Sequence, residues 1–274
     1  MNSMPSREEV KAIAERTVIS SVTNFIIKRK NKKPNFQILD LIIPTERKIR
    51  SVVGGMETSL GTTLWEPLAI ELAKANGFNI VKQKLEAPKN MPANIQGTLQ
   101  SLLEERYKST SIYDAQYCHA RIKEACQVYL NSPITEFIKP KSGEGVDIWL
   151  EKGGTNYFFD TKTVKPSLKD YKNFINQLFN WYASFYSRFP NQIAEARIVF
   201  PYNPYTRDDF WSKTTGKGKP LQKSEEAWVE NEFWDFCSGL ENTYELIYEA
   251  FVDISKSGIL EEIIQEIFYG HSLE

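Results

Sequence analysis

Histidine and cysteine are scarce in this chain of 274 residues, which holds two of the first and three of the second. His271 lies near the C-terminus and His119 sits among helix-forming residues, where a lone histidine is more often structural. Chemistry built on a Ser-His or Cys-His pair is therefore nearly excluded, unless His119 carries it alone. Cys118, Cys126 and Cys237 are odd in number and lack ligand spacing, so neither a disulfide framework nor a zinc site is expected. Also missing are a signal peptide, an apolar run of membrane-spanning length, an internal repeat and a low-complexity linker. The expectation is a cytoplasmic protein with no membrane partner.

The formal charge of −1 conceals an asymmetry. Residues 160–223 carry 11 Lys and Arg against 5 Asp and Glu, whereas residues 224–274 carry 1 against 13. A basic body with an acidic end suits a polyanion bound on one side, and solvated helix faces explain the same counts.

Hydrophobic spacing predicts an amphipathic helix over 6–30, ending in the cations Lys28, Arg29, Lys30, Lys32 and Lys33. Pro34 to Ile43 has no clear assignment, and the Gly, Thr and Ser residues that follow Arg47-Lys48-Ile49-Arg50 read as a polar segment. A helix is expected over 63–76 with Leu64, Trp65, Leu68, Leu72 and Ala73 buried and Gly77 as its stop. A strand follows over Phe78–Leu85, then helices over 95–108 and 111–130 that read as an insertion. The strongest helical pattern is 168–189, succeeded by a strand over 196–201 and a basic, aromatic loop over 202–222. Helices are predicted near 224–237, 241–256 and 258–268.

Between the insertion and the strong helix lies GVDIWLEKGGTNYFFDTKT, residues 145–163, which reads as a hairpin with strands over 145–151 and 157–163. Alternation puts Phe158, Asp160 and Lys162 on one face of its second strand. Asp147 stands on the first. Two carboxylates and a lysine on neighbouring strands suit metal-dependent phosphodiester cleavage. Mg²⁺ takes hard oxygen ligands, for which Asp147 and Asp160 are the candidates. It polarises phosphate and lowers the pKa of a water, and Lys162 is placed to serve that water and offset charge on the phosphate. An ordinary cross-strand ion pair on a surface hairpin is the plainer alternative.

The order helix, strand, hairpin, helix, strand, with Asp147 followed after twelve residues by Asp160-x-Lys162, resembles the core of the PD-(D/E)XK nucleases. Val146 stands where a proline often precedes the first acid in that family. The resemblance implies an α/β fold with a restriction-endonuclease-like core, a mixed central sheet flanked by helices. It also implies a glutamate on the first core helix assisting the site. Glu66 is favoured there over Glu71, although Thr63-x-x-Glu66 also fits a capping box.

Three longer stretches resemble Type II restriction endonucleases of the TdeIII-like group: residues 47–78, 145–166 and 177–205. That resemblance implies Mg²⁺-dependent cleavage of double-stranded DNA at a short palindrome, with GGNCC as the candidate site. It further implies a companion DNA methyltransferase, and a palindrome is most simply read by a homodimer. The expected organisation is one nuclease domain over 1–274, with its core near 47–85 and 140–205, a helical insertion near 95–131 and a helical C-terminal addition near 224–270. Lys165, Lys169, Asn173, Gln177, Asn203 and Arg207 are the candidate DNA-binding residues, from the helix face after the hairpin and from the basic loop. A nuclease of DNA repair or of DNA structure, and a non-catalytic DNA-binding protein of the same fold, remain alternatives.

Overall fold

The computed structural model describes residues 4–29, 38–108, 114–141, 143–206, 208–214 and 221–269. In chain order its elements are α1 (Arg7–Arg29), a 3₁₀ turn (Ile38–Leu41), α2 (Pro44–Thr58), a π turn (Gly61–Trp65) and α3 (Glu66–Ala75). The strands β1 (Asn79–Ile80) and β2 (Ala87–Pro88) lead to α4 (Ala93–Tyr107) and α5 (Ala115–Gln127). Then come β3 (Phe137–Ile138), β4 (Ile148–Lys152), β5 (Thr155–Thr161), α6 (Leu168–Arg188) and β6 (Ile193–Phe200). The chain finishes with α7 (Phe210–Thr214), β7 (Ala227–Val229), α8 (Asn231–Ser238), α9 (Thr243–Ser257) and α10 (Ile259–Tyr269).

These elements form two compact units, residues 1–76 with 234–274, and residues 77–233. The first unit is helical. Helix α1 buries Val10, Ile13, Ala14, Val18, Phe25 and Ile26 at helical spacing and packs on α3, α9 and α10. Trp65 stacks on Phe251 at 5.9 Å and meets Trp234 at 6.0 Å. Leu68, Leu72, Leu246, Ile247 and Ala250 fill the space around them. The helix expected from residue 63 instead joins a longer helical run that begins at Pro44, a proline placed at a helix start where its missing N–H costs nothing. Thr63 therefore does not cap a helix. Its N–H donates to the Ser59 carbonyl at 2.8 Å and its hydroxyl to Ser59 Oγ at 3.1 Å.

The second unit holds, among the described residues, a five-stranded mixed sheet in the order β1-β4-β5-β6-β7. Strand β4 runs antiparallel to both β1 and β5, whereas β5, β6 and β7 are parallel. The β4–β5 hairpin turns at Gly153 and Gly154, whose φ values of 62° and 83° suit a two-residue turn that L side chains resist. Strand β5 is central, with Phe158 and Phe159 both fully buried. Phe158 packs on Phe185 of α6 at 5.2 Å, and Phe159 faces the other way onto Trp228 and Phe233. Helices α4 and α5, expected as an insertion, lie against α6.

Two further expectations change. The strand expected over 78–85 shrinks to Asn79–Ile80, with one more bond from Val81 N–H to the Trp149 carbonyl. Beyond it Ala87–Pro88 pairs with Phe137–Ile138 in a separate small sheet. The helix expected from residue 224 starts only at Asn231, because Ala227–Val229 adds a parallel edge strand beside β6.

Candidate active site

The parallel step from β5 to β6 requires a crossover, and α6 supplies it. Residues 158, 160 and 162 share the face of β5 that looks onto this helix, and each meets a different turn of it. Phe158 touches Phe185, Asp160 accepts from Gln177, and the Lys162 ammonium lies 5.6 Å from the Phe174 ring centre. The second strand of the hairpin thereby carries its acid and its base to one place beside the helix.

Asp147 arrives from the other strand. Its N–H donates to the Phe159 carbonyl at 3.0 Å, which sets it beside the end of β5. Its Oδ2 accepts the Thr161 N–H at 3.1 Å and the Thr161 hydroxyl at 3.4 Å. Asp160 is buried at 3% exposure, while Asp147 is exposed to solvent. The Lys162 ammonium bridges both oxygens of Asp160, at 2.8 Å to Oδ1 and 2.7 Å to Oδ2. Gln177 Nε2 donates to the same Oδ2 at 2.8 Å.

Burial pushes the Asp160 carboxyl up to about 7, with the neighbouring Asp147 carboxyl adding to the rise, against the pull of Lys162. A second carboxylate beside a buried one is costly unless a cation or a proton lies between them. The donor set, a buried carboxylate with a second one held beside the end of its strand, therefore fits a hard divalent cation. Among the described residues no group of three or more His, Cys, Asp or Glu side chains gathers, so further ligands would be water or phosphate oxygens, as Mg²⁺ commonly keeps.

The remaining candidates have the following settings. Glu66 opens α3 in the first unit, half-buried and directly after the π turn, with its N–H bonded to the Gly61 carbonyl. Glu71 of the same helix is paired with Lys74. Lys165, Lys169 and Asn173 are exposed, and the Lys165 ammonium lies 5.7 Å from the Tyr205 ring centre. Gln177 faces Asp160. The amide of Asn203 is engaged inside its own loop, donating to the Asp208 carbonyl at 2.9 Å and accepting from Tyr205 N–H at 3.0 Å. Arg207 and Lys30, Lys32 and Lys33 lie outside the described residues.

His119 has a structural setting. It stacks on Tyr182 at 3.9 Å and shares a 2.8 Å hydrogen bond with the Tyr186 hydroxyl. All three cysteines are free and buried, with their thiols pushed up by burial. No described helix is long and apolar enough to cross a membrane.

A mixed sheet flanked by helices, with an acid pair and a lysine at the ends of its hairpin, has the make-up of a restriction-endonuclease-like fold. The family model described as "Type II restriction endonuclease, HinfI" matches residues 7–255, and the chain belongs to that family. The Type II restriction enzyme MjaII of Methanocaldococcus jannaschii is 21% identical over 217 residues, 76% of this chain and 55% of that enzyme. The chain thus spans about half the length of this curated relative. No solved structure matches the chain. The finer TdeIII-like assignment goes beyond the family match.

Proposed function

We propose that the chain is a Type II restriction endonuclease that hydrolyses double-stranded DNA at a short palindromic site with Mg²⁺. One observation supports the reading: Lys162 bonds to Asp160, and Asp147 is held beside the end of the same strand by bonds to Phe159 and Thr161, in a chain of a restriction endonuclease family. Asp147 and Asp160 hold the cation, which when bound supplies Lewis acidity toward a phosphate oxygen and a water of lowered pKa. Lys162 orients the attacking water and offsets charge building on the phosphate. Glu66 is the assisting acid, with Glu71 the reserve. Its place directly after a π turn supports the choice, because such turns are frequent at functional sites.

Residues 1–274 serve this one nuclease function. Lys165, Lys169 and Asn173 follow the site along the chain and lie exposed, as groups contacting a DNA backbone must. Gln177, Asn203 and Arg207 complete the DNA-facing set on sequence grounds, and the bonds of Gln177 and Asn203 give those two a positioning part as well. A palindrome is read most simply by a homodimer in the cytoplasm, with a methyltransferase protecting host sites. GGNCC is the candidate sequence that the TdeIII-like resemblance supplies.

Lys162→Ala tests the assignment. The variant is expected to lose cleavage and to keep sequence-specific binding in a gel-shift assay. Cutting at the wild-type rate removes Lys162 from the chemistry and this reading with it.

A further inference from the structure

Helix α6 is more than a crossover. Three of its buried or half-buried side chains, Phe174, Gln177 and Trp181, recur at spacings of three and four and so lie along one face. Each touches a different part of the candidate site. Phe174 lies beneath the Lys162 ammonium, and Gln177 Nε2 donates to Asp160 Oδ2 at 2.8 Å. Trp181 Nε1 donates at 2.9 Å to the carbonyl of Glu144, three residues before Asp147. We propose that this stripe of α6 is the positioning device of the nuclease site, with Gln177 setting Asp160 and Trp181 setting the segment that delivers Asp147. The proposal rests on the nuclease reading above.

The chemistry of the donors supports it. An ionised carboxylate only accepts hydrogen bonds, so the amide must present its nitrogen to Asp160. A neutral amide holds the carboxylate in orientation without cancelling its charge, and that charge remains available to a cation. A second lysine or arginine at position 177 would fix the same oxygen and weaken its attraction for a divalent ion. Trp181 acts on backbone, through a single indole N–H that a tryptophan buried at 3% exposure needs to satisfy. Because both donors stand on one rigid helix, the two acids are referenced to a common frame although they sit on different strands. Ligand-orienting groups of this kind typically change metal affinity or activity by roughly 10- to 100-fold when removed.

The test uses the full chain and three variants, Gln177→Met, Gln177→Glu and Trp181→Phe. The first removes the amide at similar volume, the second adds a charge at the same shape, and the third removes only the indole N–H. Circular dichroism and melting without cation establish folding. The cation is then titrated two ways: Mg²⁺ against the rate of plasmid cleavage, and Mn²⁺ by calorimetry on the DNA-free protein.

Gln177→Met and Trp181→Phe are expected to need roughly tenfold more cation in both assays. Gln177→Glu, which sets a third carboxylate against Asp160, is expected to lose cleavage while binding DNA. Wild-type cation dependence in folded Gln177→Met and Trp181→Phe overturns the positioning role and leaves the nuclease reading standing. A wild-type chain that neither cuts DNA nor binds Mn²⁺ overturns the reading itself and the proposal that depends on it. If Trp181→Phe does not fold, the Gln177 pair alone decides, since Gln177 is only half-buried.

Discussion

Thr161 gives both its backbone N–H and its hydroxyl to one oxygen of Asp147, fourteen residues earlier, at 3.1 and 3.4 Å. One residue of the motif thereby orients an acid on the other strand. Thr161→Val keeps the shape and the N–H while removing the hydroxyl. The long 3.4 Å bond sets a modest effect: a cleavage rate lower by about 3- to 10-fold, restored by Thr161→Ser. Equal rates for the threonine and valine enzymes would leave the N–H as the whole restraint on Asp147.

Asp160 burdens the fold. Its folded pKa of about 7 exceeds the ordinary 3.8, so its ionised form is disfavoured in the fold. Stability is lost as pH rises from about 4 through 7 and is level above that. In cation-free buffer Asp160→Asn is expected to melt about 5 °C higher than wild type at pH 8, with the gain vanishing at pH 4. Cleavage disappears in the same variant. A gain of equal size at both pH values would show that charge is not its source.

His119 imposes the opposite dependence. Burial, with Lys123 and Arg197 nearby, pushes its pKa down to about 4. A depressed imidazole supports the fold fully above pH 6.5, and its contribution fades as pH falls toward 4. Across that window the loss is on the order of 3 kcal/mol. His119→Phe, which retains the stack on Tyr182, is expected to show a flatter melting profile between pH 6.5 and 4. Its cleavage rate is expected to match wild type. A large loss of cleavage would give His119 the chemical role that its stacked, hydrogen-bonded setting argues against.

Arg106 and Glu226 form a buried ion pair, with side chains 1% and 6% exposed. The pair ties α4 to the segment that enters β7. Burial drives Arg106 down to about 10 and Glu226 up to about 7. Removing one partner strands the other, so Arg106→Met is expected to cost about 3 to 5 kcal/mol in urea unfolding. The double variant with Glu226→Gln should recover part of that loss, which a double-mutant cycle measures. A single variant costing less than about 1 kcal/mol would show that water reaches the glutamate.

The hairpin was legible because its signals are local. Alternation, the Gly153-Gly154 turn and the Asp160-x-Lys162 spacing all lie within nineteen residues. Helix α6 was equally legible from its long apolar stripe. The three-residue strand β7 was not, since Ala227–Val229 sits in a Glu-rich run and owes its conformation to the parallel edge of β6. Helix α2 was obscured by Gly54, Gly55 and the Thr and Ser residues after them, poor helix formers that tertiary packing overrides. The bond from Gln177 to Asp160 spans strand and helix, so sequence suggested only a polar face turned to DNA. Asn203 reads as a base-contacting type from sequence, and the bonds by which its amide closes its own loop were not legible there.

The central claim is sequence-specific, cation-dependent cutting by the Asp147, Asp160 and Lys162 cluster. Digestion of a plasmid of known sequence, with and without Mg²⁺ and alongside Lys162→Ala, tests it most directly. Discrete fragments whose ends share one short palindrome, formed only with Mg²⁺ and absent with the variant, are expected. A smear of random fragments, or no cleavage at any Mg²⁺ concentration, would contradict it.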